Sequence, residues 1–233
     1  MTIGECQFAP SSLAQWFGAV ATFLAVMVAL FKDAFLAWRR KPTLEATCGK
    51  QTPWTVRTPI IVHSGGQVLW NGDCYFVRVK IENTGKTRAK KVQVSALNLS
   101  KRGADNNFED IPTILPLSMK WSNSPPAGPA STLDGISPKM AAFCDIVSLC
   151  DPANQHQRKP IGAPPNTTIG QLQLEVDPLT DSHLLLPGTY RLTLRIAGAN
   201  VKPIDKTFVF THTGTWMRDD AEMRRDCLGV SLE

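Results

Sequence analysis

Across 233 residues there is no CxxC pair, no stripe of Lys and Arg, and no histidine spaced for metal or catalysis. Each absence closes a class of function. Without the paired-cysteine spacing, neither a zinc ribbon nor a thioredoxin-type redox motif is available. The six cysteines, Cys6, Cys48, Cys74, Cys144, Cys150 and Cys227, are scattered. Scatter of this kind predicts reduced thiols acting as small apolar residues; a Cys144–Cys150 disulfide in an oxidising compartment is the alternative. The net charge of +5 is mild and dispersed, so no nucleic-acid partner is expected. His63, His156, His183 and His212 have no carboxylate or nucleophile at a telling distance in sequence, and Gly65-Gly66, a hairpin turn, lacks the Lys-Ser/Thr of a phosphate loop. No enzymatic activity, no catalytic residue, no metal and no cofactor is expected.

The N-terminus also lacks what a cleaved signal peptide carries. Residues 1–12 contain Glu5 but no Lys or Arg, whereas Leu13–Phe31 reads LAQWFGAVATFLAVMVALF with only Gln15 and Thr22 polar. As a helix this stretch is about 28 Å long, close to the hydrocarbon thickness of a bilayer. The cations come after it, as Lys32, Arg39, Arg40 and Lys41, with Trp38 among them. Cations behind an apolar span resist translocation, which predicts an outward N-terminus, a cytoplasmic body, and a basic, aromatic collar held at the inner leaflet. Ala14, Gly18, Ala21, Ala25 and Ala29 recur every three or four residues and share one helical face. That face either lets helices associate in lipid or belongs to an ordinary Ala-rich anchor.

Beyond Pro42 the pattern changes to period two. Tyr75, Val77, Val79 and Ile81 alternate with Arg78, Lys80 and Glu82; Val92, Val94 and Ala96 follow after a turn at Asn83-Thr84-Gly85-Lys86, where Gly85 is free to take positive φ. Leu172, Leu174 and Val176 alternate with Gln171, Gln173 and Glu175, and Tyr190, Leu192, Leu194 and Ile196 with Arg191, Thr193 and Arg195. Phe208 and Phe210 mark a last strand after a turn near Asn200, and weaker strands are expected at 44–50, 56–63 and 141–149. Seventeen Pro and sixteen Gly supply the turns, and no helix is available for parallel crossovers. The expected class is all-β, a sandwich preceded by one transmembrane helix.

Val79–Gly85 (VKIENTG) followed by Ala89–Val94 (AKKVQV) resembles bacterial immunoglobulin-like domains of the CARDB kind, as does the P-G-x-Y run Leu186–Leu192. The resemblance implies an immunoglobulin-like sandwich in which Tyr190 pins a corner. It does not carry over the cysteine pair of antibody domains.

The expected organisation is a short outer N-terminus (1–12), a transmembrane helix (13–31), a basic juxtamembrane segment (32–42), a sandwich (43–214) and a tail helix (215–233) capped by Thr215. Two irregular stretches, 121–136 and 151–169, are either a shared binding surface at one end of the sandwich or loosely ordered insertions. The expected role is a non-enzymatic, inner-membrane interaction module that binds a protein or small ligand. An oligomerising membrane effector, similar to those of bacterial anti-phage systems, an accessory subunit of a membrane complex and, with the opposite orientation, a surface or periplasmic adhesion domain are the alternatives. The expected partners are the bilayer and either further copies or another membrane protein.

Overall fold

The computed structural model describes residues 10–39, 41–112, 116–122, 131–153 and 159–233. The chain divides into two units, Met1–Lys41 and Pro42–Glu233.

In the first unit, helix α1 runs Pro10–Arg39. Proline at the first position costs nothing there, because that N–H has no intrahelical acceptor. Ala14–Lys32 forms a 19-residue stretch of mean hydropathy 1.9, long and apolar enough to cross a membrane, with none of it buried. The Thr22 hydroxyl donates to the Gly18 carbonyl at 2.8 Å, so this polar group is satisfied within the helix.

The second unit is built from strands β1 (Leu44–Thr47), β2 (Thr55–Ser64), β3 (Gln67–Asn83), β4 (Ala89–Arg102), β5 (Phe108–Asp110), β6 (Leu117–Ser118), β7 (Thr132–Ile136), β8 (Ala141–Cys150), β9 (Gly170–Leu172), β10 (Leu184–Leu185), β11 (Gly188–Gly198), β12 (Val201–His212) and β13 (Leu228–Leu232). One helical turn, α2 (Asp220–Glu222), and a π turn at Met223–Cys227 precede the last strand. All pairing is antiparallel. One sheet has the order β1-β3-β8-β9-β10, with β2 also on β3; the other has the order β13-β12-β11-β4-β5, with β6 and β7 also on β4. Their facing side chains make one core, Val77, Val79, Ile81 and Leu149 from the first sheet and Val94, Leu194, Ile196 and Phe208 from the second. The protein is an all-β sandwich behind an apolar helix.

The β3–β4 connection is a corner between sheets, and Asn83 rather than glycine shapes it. Gly85 does not adopt positive φ. Instead the buried Asn83 amide donates to the carbonyls of Thr87 (2.7 Å) and Ile136 (2.8 Å), while its oxygen accepts from Gly85 N (3.0 Å) and Thr43 N (3.3 Å). A short amide that offers both donors and an acceptor can satisfy a chain reversal without a positive φ. At the opposite connection, the Tyr190 hydroxyl donates to the Leu186 carbonyl at 2.6 Å, the corner contact that the P-G-x-Y run implies.

Several expectations are corrected. The strand expected through Val176 ends at Leu172; Leu174 makes an isolated bridge to Met119, and Val176 is exposed. Within 121–136, residues 132–136 are not irregular but form β7, paired with β4. The tail is one helical turn and then a strand, because Leu228, Val230 and Leu232 alternate against β12 where a helix would need period 3.6. Its cap is Asp219, whose side chain accepts from Glu222 N at 2.8 Å, and not Thr215. The cysteines are not all thiols: Cys74 and Cys150 are directly opposed on β3 and β8 and form a disulfide, while Cys144, the expected alternative partner of Cys150, is a buried free thiol; Cys227, buried, and Cys48, half-buried, are free as well.

Candidate functional site

The tail returns across the sandwich just beyond the disulfide, and the two together build a polar end. Antiparallel pairing of β2 with β3 sets Arg57 against Tyr75 and close to Asp73. The Arg57 guanidinium forms an ion pair with Asp73 and donates to the Arg218 carbonyl at 2.6 Å. The Tyr75 hydroxyl donates to Asp220 at 2.7 Å, and Trp216 packs edge-on against the Tyr75 ring at 5.4 Å. Arg224 pairs with Asp220 one turn back, at 2.6 Å. Burial, then the hydrogen bond to Asp220, pushes the Tyr75 phenol up to about 12, which keeps it a hydrogen-bond donor across the physiological range.

Two open hollows flank this tail. One, about 600 Å³, is lined by Asp151, Pro152, Pro164, Asn166, Trp216 and Arg218 among others. The other, about 550 Å³, is bordered by Lys50, Gln51, Asp219, Asp220, Arg224 and Arg225. Volumes of this order admit a peptide side chain or a small polar molecule. By contrast, the apolar void inside the sandwich, lined by Val77, Leu99, Leu172 and Phe208 among others, holds only about 20 Å³, room for one water and for no ligand.

Burial shifts several other titratable groups. Asp145 is raised by burial, against the opposing effects of Ser122 and of Arg78, which bonds it at 2.9 Å. Burial pushes the Cys48 thiol up to about 11 and Cys144 well above the usual range, making both poor nucleophiles. Burial lowers His212 to about 4, against the Leu186 and Leu185 carbonyls, in a stack with Tyr190 and Phe210. Among the described residues, no group of three or more His, Cys, Asp or Glu could hold a metal ion.

The sites expected from sequence fall elsewhere. Ala14, Gly18, Ala21, Ala25 and Ala29 all lie on α1, exposed, within an arc of roughly 80° at 100° per residue. Lys32 and Lys41 are exposed; the side chains of Trp38 and Arg39 and all of Arg40 lie outside the described residues, as do Glu5, Cys6 and His156. The two irregular stretches do not share one end. Trp121 bridges to Cys144 and donates to the Ser131 carbonyl at 3.0 Å, whereas Asp151 follows Cys150 and its N–H donates to the Asp73 carbonyl at 3.1 Å. Those anchor points are six residues apart on β8, roughly 20 Å along the strand. Among the described residues of the two stretches, those bordering the larger hollow come from 151–169. The cluster of Arg57, Asp73, Tyr75, Trp216 and Asp220 left no mark in the sequence, since 145 residues separate Tyr75 from Asp220.

No protein-family model matches the chain, and no curated protein matches it.

Proposed function

We propose that this chain is a membrane-anchored interaction module. The apolar helix spans the inner membrane, and an immunoglobulin-like body of the CARDB kind holds a partner's polar segment in the hollow between 151–169 and the tail. The observation that carries the reading is the pairing of an unburied 19-residue apolar helix with a sandwich whose open, mixed-charge hollows border its C-terminal tail. Four residues, 40–43, separate α1 from β1, so the anchor keeps the body near the bilayer and raises its effective concentration for partners there. Cations behind the span and none before it favour a cytoplasmic body. The arc of small residues favours a homo-oligomer through the helices.

A photo-crosslinking residue at Thr215, on the rim of the larger hollow, tests the binding site in growing cells against the same residue at Lys202 on β12. A discrete adduct from Thr215 alone is expected; equal yields, or none, would remove the hollow as the site. Crosslinking of the parent and of Gly18→Leu tests association, with loss of the higher-order species expected in the variant.

A second orientation is favoured by one observation. A Cys74–Cys150 disulfide persists most readily where thiols are kept oxidised, which is outside the cytoplasm. On that reading the body is an extracytoplasmic binding domain. Alkaline phosphatase or green fluorescent protein fused at the C-terminus decides: fluorescence without phosphatase activity keeps the body inside, and the reverse places it outside.

A further inference from the structure

The Cys74–Cys150 disulfide joins the two strands from which the lining of the larger hollow is held. On β3, the residues on either side of Cys74 grip the tail. Asp73 pairs with Arg57, whose guanidinium donates to the Arg218 carbonyl at 2.6 Å. Tyr75 donates to Asp220 at 2.7 Å and packs against Trp216. Trp216 and Arg218 both line the hollow. On β8, Cys150 is the last residue, and Asp151, Pro152 and Ala153, which follow it directly, line the same hollow.

The two ends of 151–169 are fastened differently. At the far end, Thr168 N donates to the Gly214 carbonyl at 2.8 Å. At the near end, the disulfide is backed by the bond from Asp151 N to the Asp73 carbonyl at 3.1 Å, worth about 1 kcal/mol net. There the Asp151 carboxylate turns back to accept from Ala153 N at 2.9 Å. Behind this point the β3–β8 ladder runs from Tyr75↔Leu149 to Glu82↔Ala141 on its own hydrogen bonds and core packing. Cutting the disulfide therefore releases the end of the ladder and the near edge of the hollow before it disturbs the rest of the sheet.

We propose that this disulfide is a redox control on the hollow. Oxidised, it holds Asp151–Ala153 against the strand that grips the tail, and the hollow takes its partner; reduced, that edge loosens and binding weakens. The reductant is a dithiol. Cys74 is 1% exposed and Cys150 half-buried, so an incoming thiolate meets the Cys150 sulfur first. A mixed disulfide forms there, the bond between Cys150 and Cys74 breaks, and Cys74 leaves as a thiolate that takes up a proton. The second thiolate of the reductant then displaces Cys150, which is protonated in turn, and the reductant ends as its own disulfide. Two electrons and two protons pass from the dithiol to the pair. The inference rests on the reading of the hollow as the binding site and adds what governs that site.

Membranes from cells carrying the photo-crosslinking residue at Thr215 provide the test. They are divided between diamide and dithiothreitol before irradiation, and the state of the pair is read by the gel shift of a polyethylene-glycol maleimide. The expected result is a several-fold lower adduct yield after dithiothreitol, with a Cys74→Ser/Cys150→Ser variant giving the low yield under both reagents. Equal yields from the oxidised and reduced parent would remove the redox control and leave the hollow as the site. No adduct in either state would remove the site, and the control with it. A serine variant that still responds to dithiothreitol would place the effect on other thiols and overturn the proposal, as would a pair that diamide fails to close. Hydrogen exchange of the purified full-length parent over seconds to minutes gives a readout without a partner. Reduction should speed exchange several-fold at 151–153 and 214–220 while β4 and β11 stay protected. Unchanged exchange at those segments, or loss of protection throughout the sandwich, would show that the bond does not act on the hollow.

Discussion

The two halves of β3 carry apolar side chains of the same kind with opposite fates. From Tyr75 to Ile81 every second residue is buried, whereas Val68 and Leu69, equally apolar, face solvent. Residue type does not separate them. The inner half has β8 on one side, β1 and β2 on the other, and a second sheet above it; the outer half has β2 as its strand partner. Burial follows from how many neighbours the topology supplies, and the end of β8 at Cys150 decides where the supply stops.

The border between those halves is the disulfide, and breaking it has the largest expected effect. It closes a 76-residue separation, so Cys74→Ser with Cys150→Ser is expected to lower unfolding stability by about 4 kcal/mol on the chain-entropy account. Urea denaturation of the full chain in detergent, followed by tryptophan fluorescence, measures it. Next, Ile81→Ala should cost roughly 3 kcal/mol, and Ile61→Ala, exposed where β2 and β3 pair beyond the end of β8, less than about 0.5 kcal/mol. Equal costs would abolish the distinction between the halves.

Acid should weaken the sandwich by a similar amount. Folding lowers His212 from 6.5 to about 4, so the folded state binds this proton less readily than the unfolded chain. The stability is complete above pH 6.5 and is lost as pH falls towards 4; about 3 kcal/mol is at stake, and Lys101 contributes repulsion to the charged form. His212→Phe should flatten the denaturation midpoint across that window. The smallest effect is expected at the tail. Tyr75→Phe removes the bond to Asp220 and should cost about 1 kcal/mol, with faster amide exchange confined to residues 216–224.

Much of the fold was legible because its cause is local. Alternation in Tyr75–Ile81 and Tyr190–Ile196 needs only a half-buried strand, and Gly65-Gly66 needs only a tight reversal. The corner at Asn83 was legible as a place but not as a mechanism, since the amide's partners include Ile136, 53 residues away. The strand at 228–232 was hidden because a pattern of Met223, Cys227 and Leu228 also fits a helix, and only an available edge on β12 selects the strand. Nothing local could show the polar end around Tyr75 and Asp220.

Sequence by itself determined the apolar helix, the period-two strands and the sandwich class, because hydrophobic patterning acts within a few residues. Tertiary structure alone decided that Cys74 meets Cys150, that the tail closes over Tyr75, and that β3 runs past the end of β8. Those outcomes depend on register between strands distant in the chain, and register is set by the whole core at once.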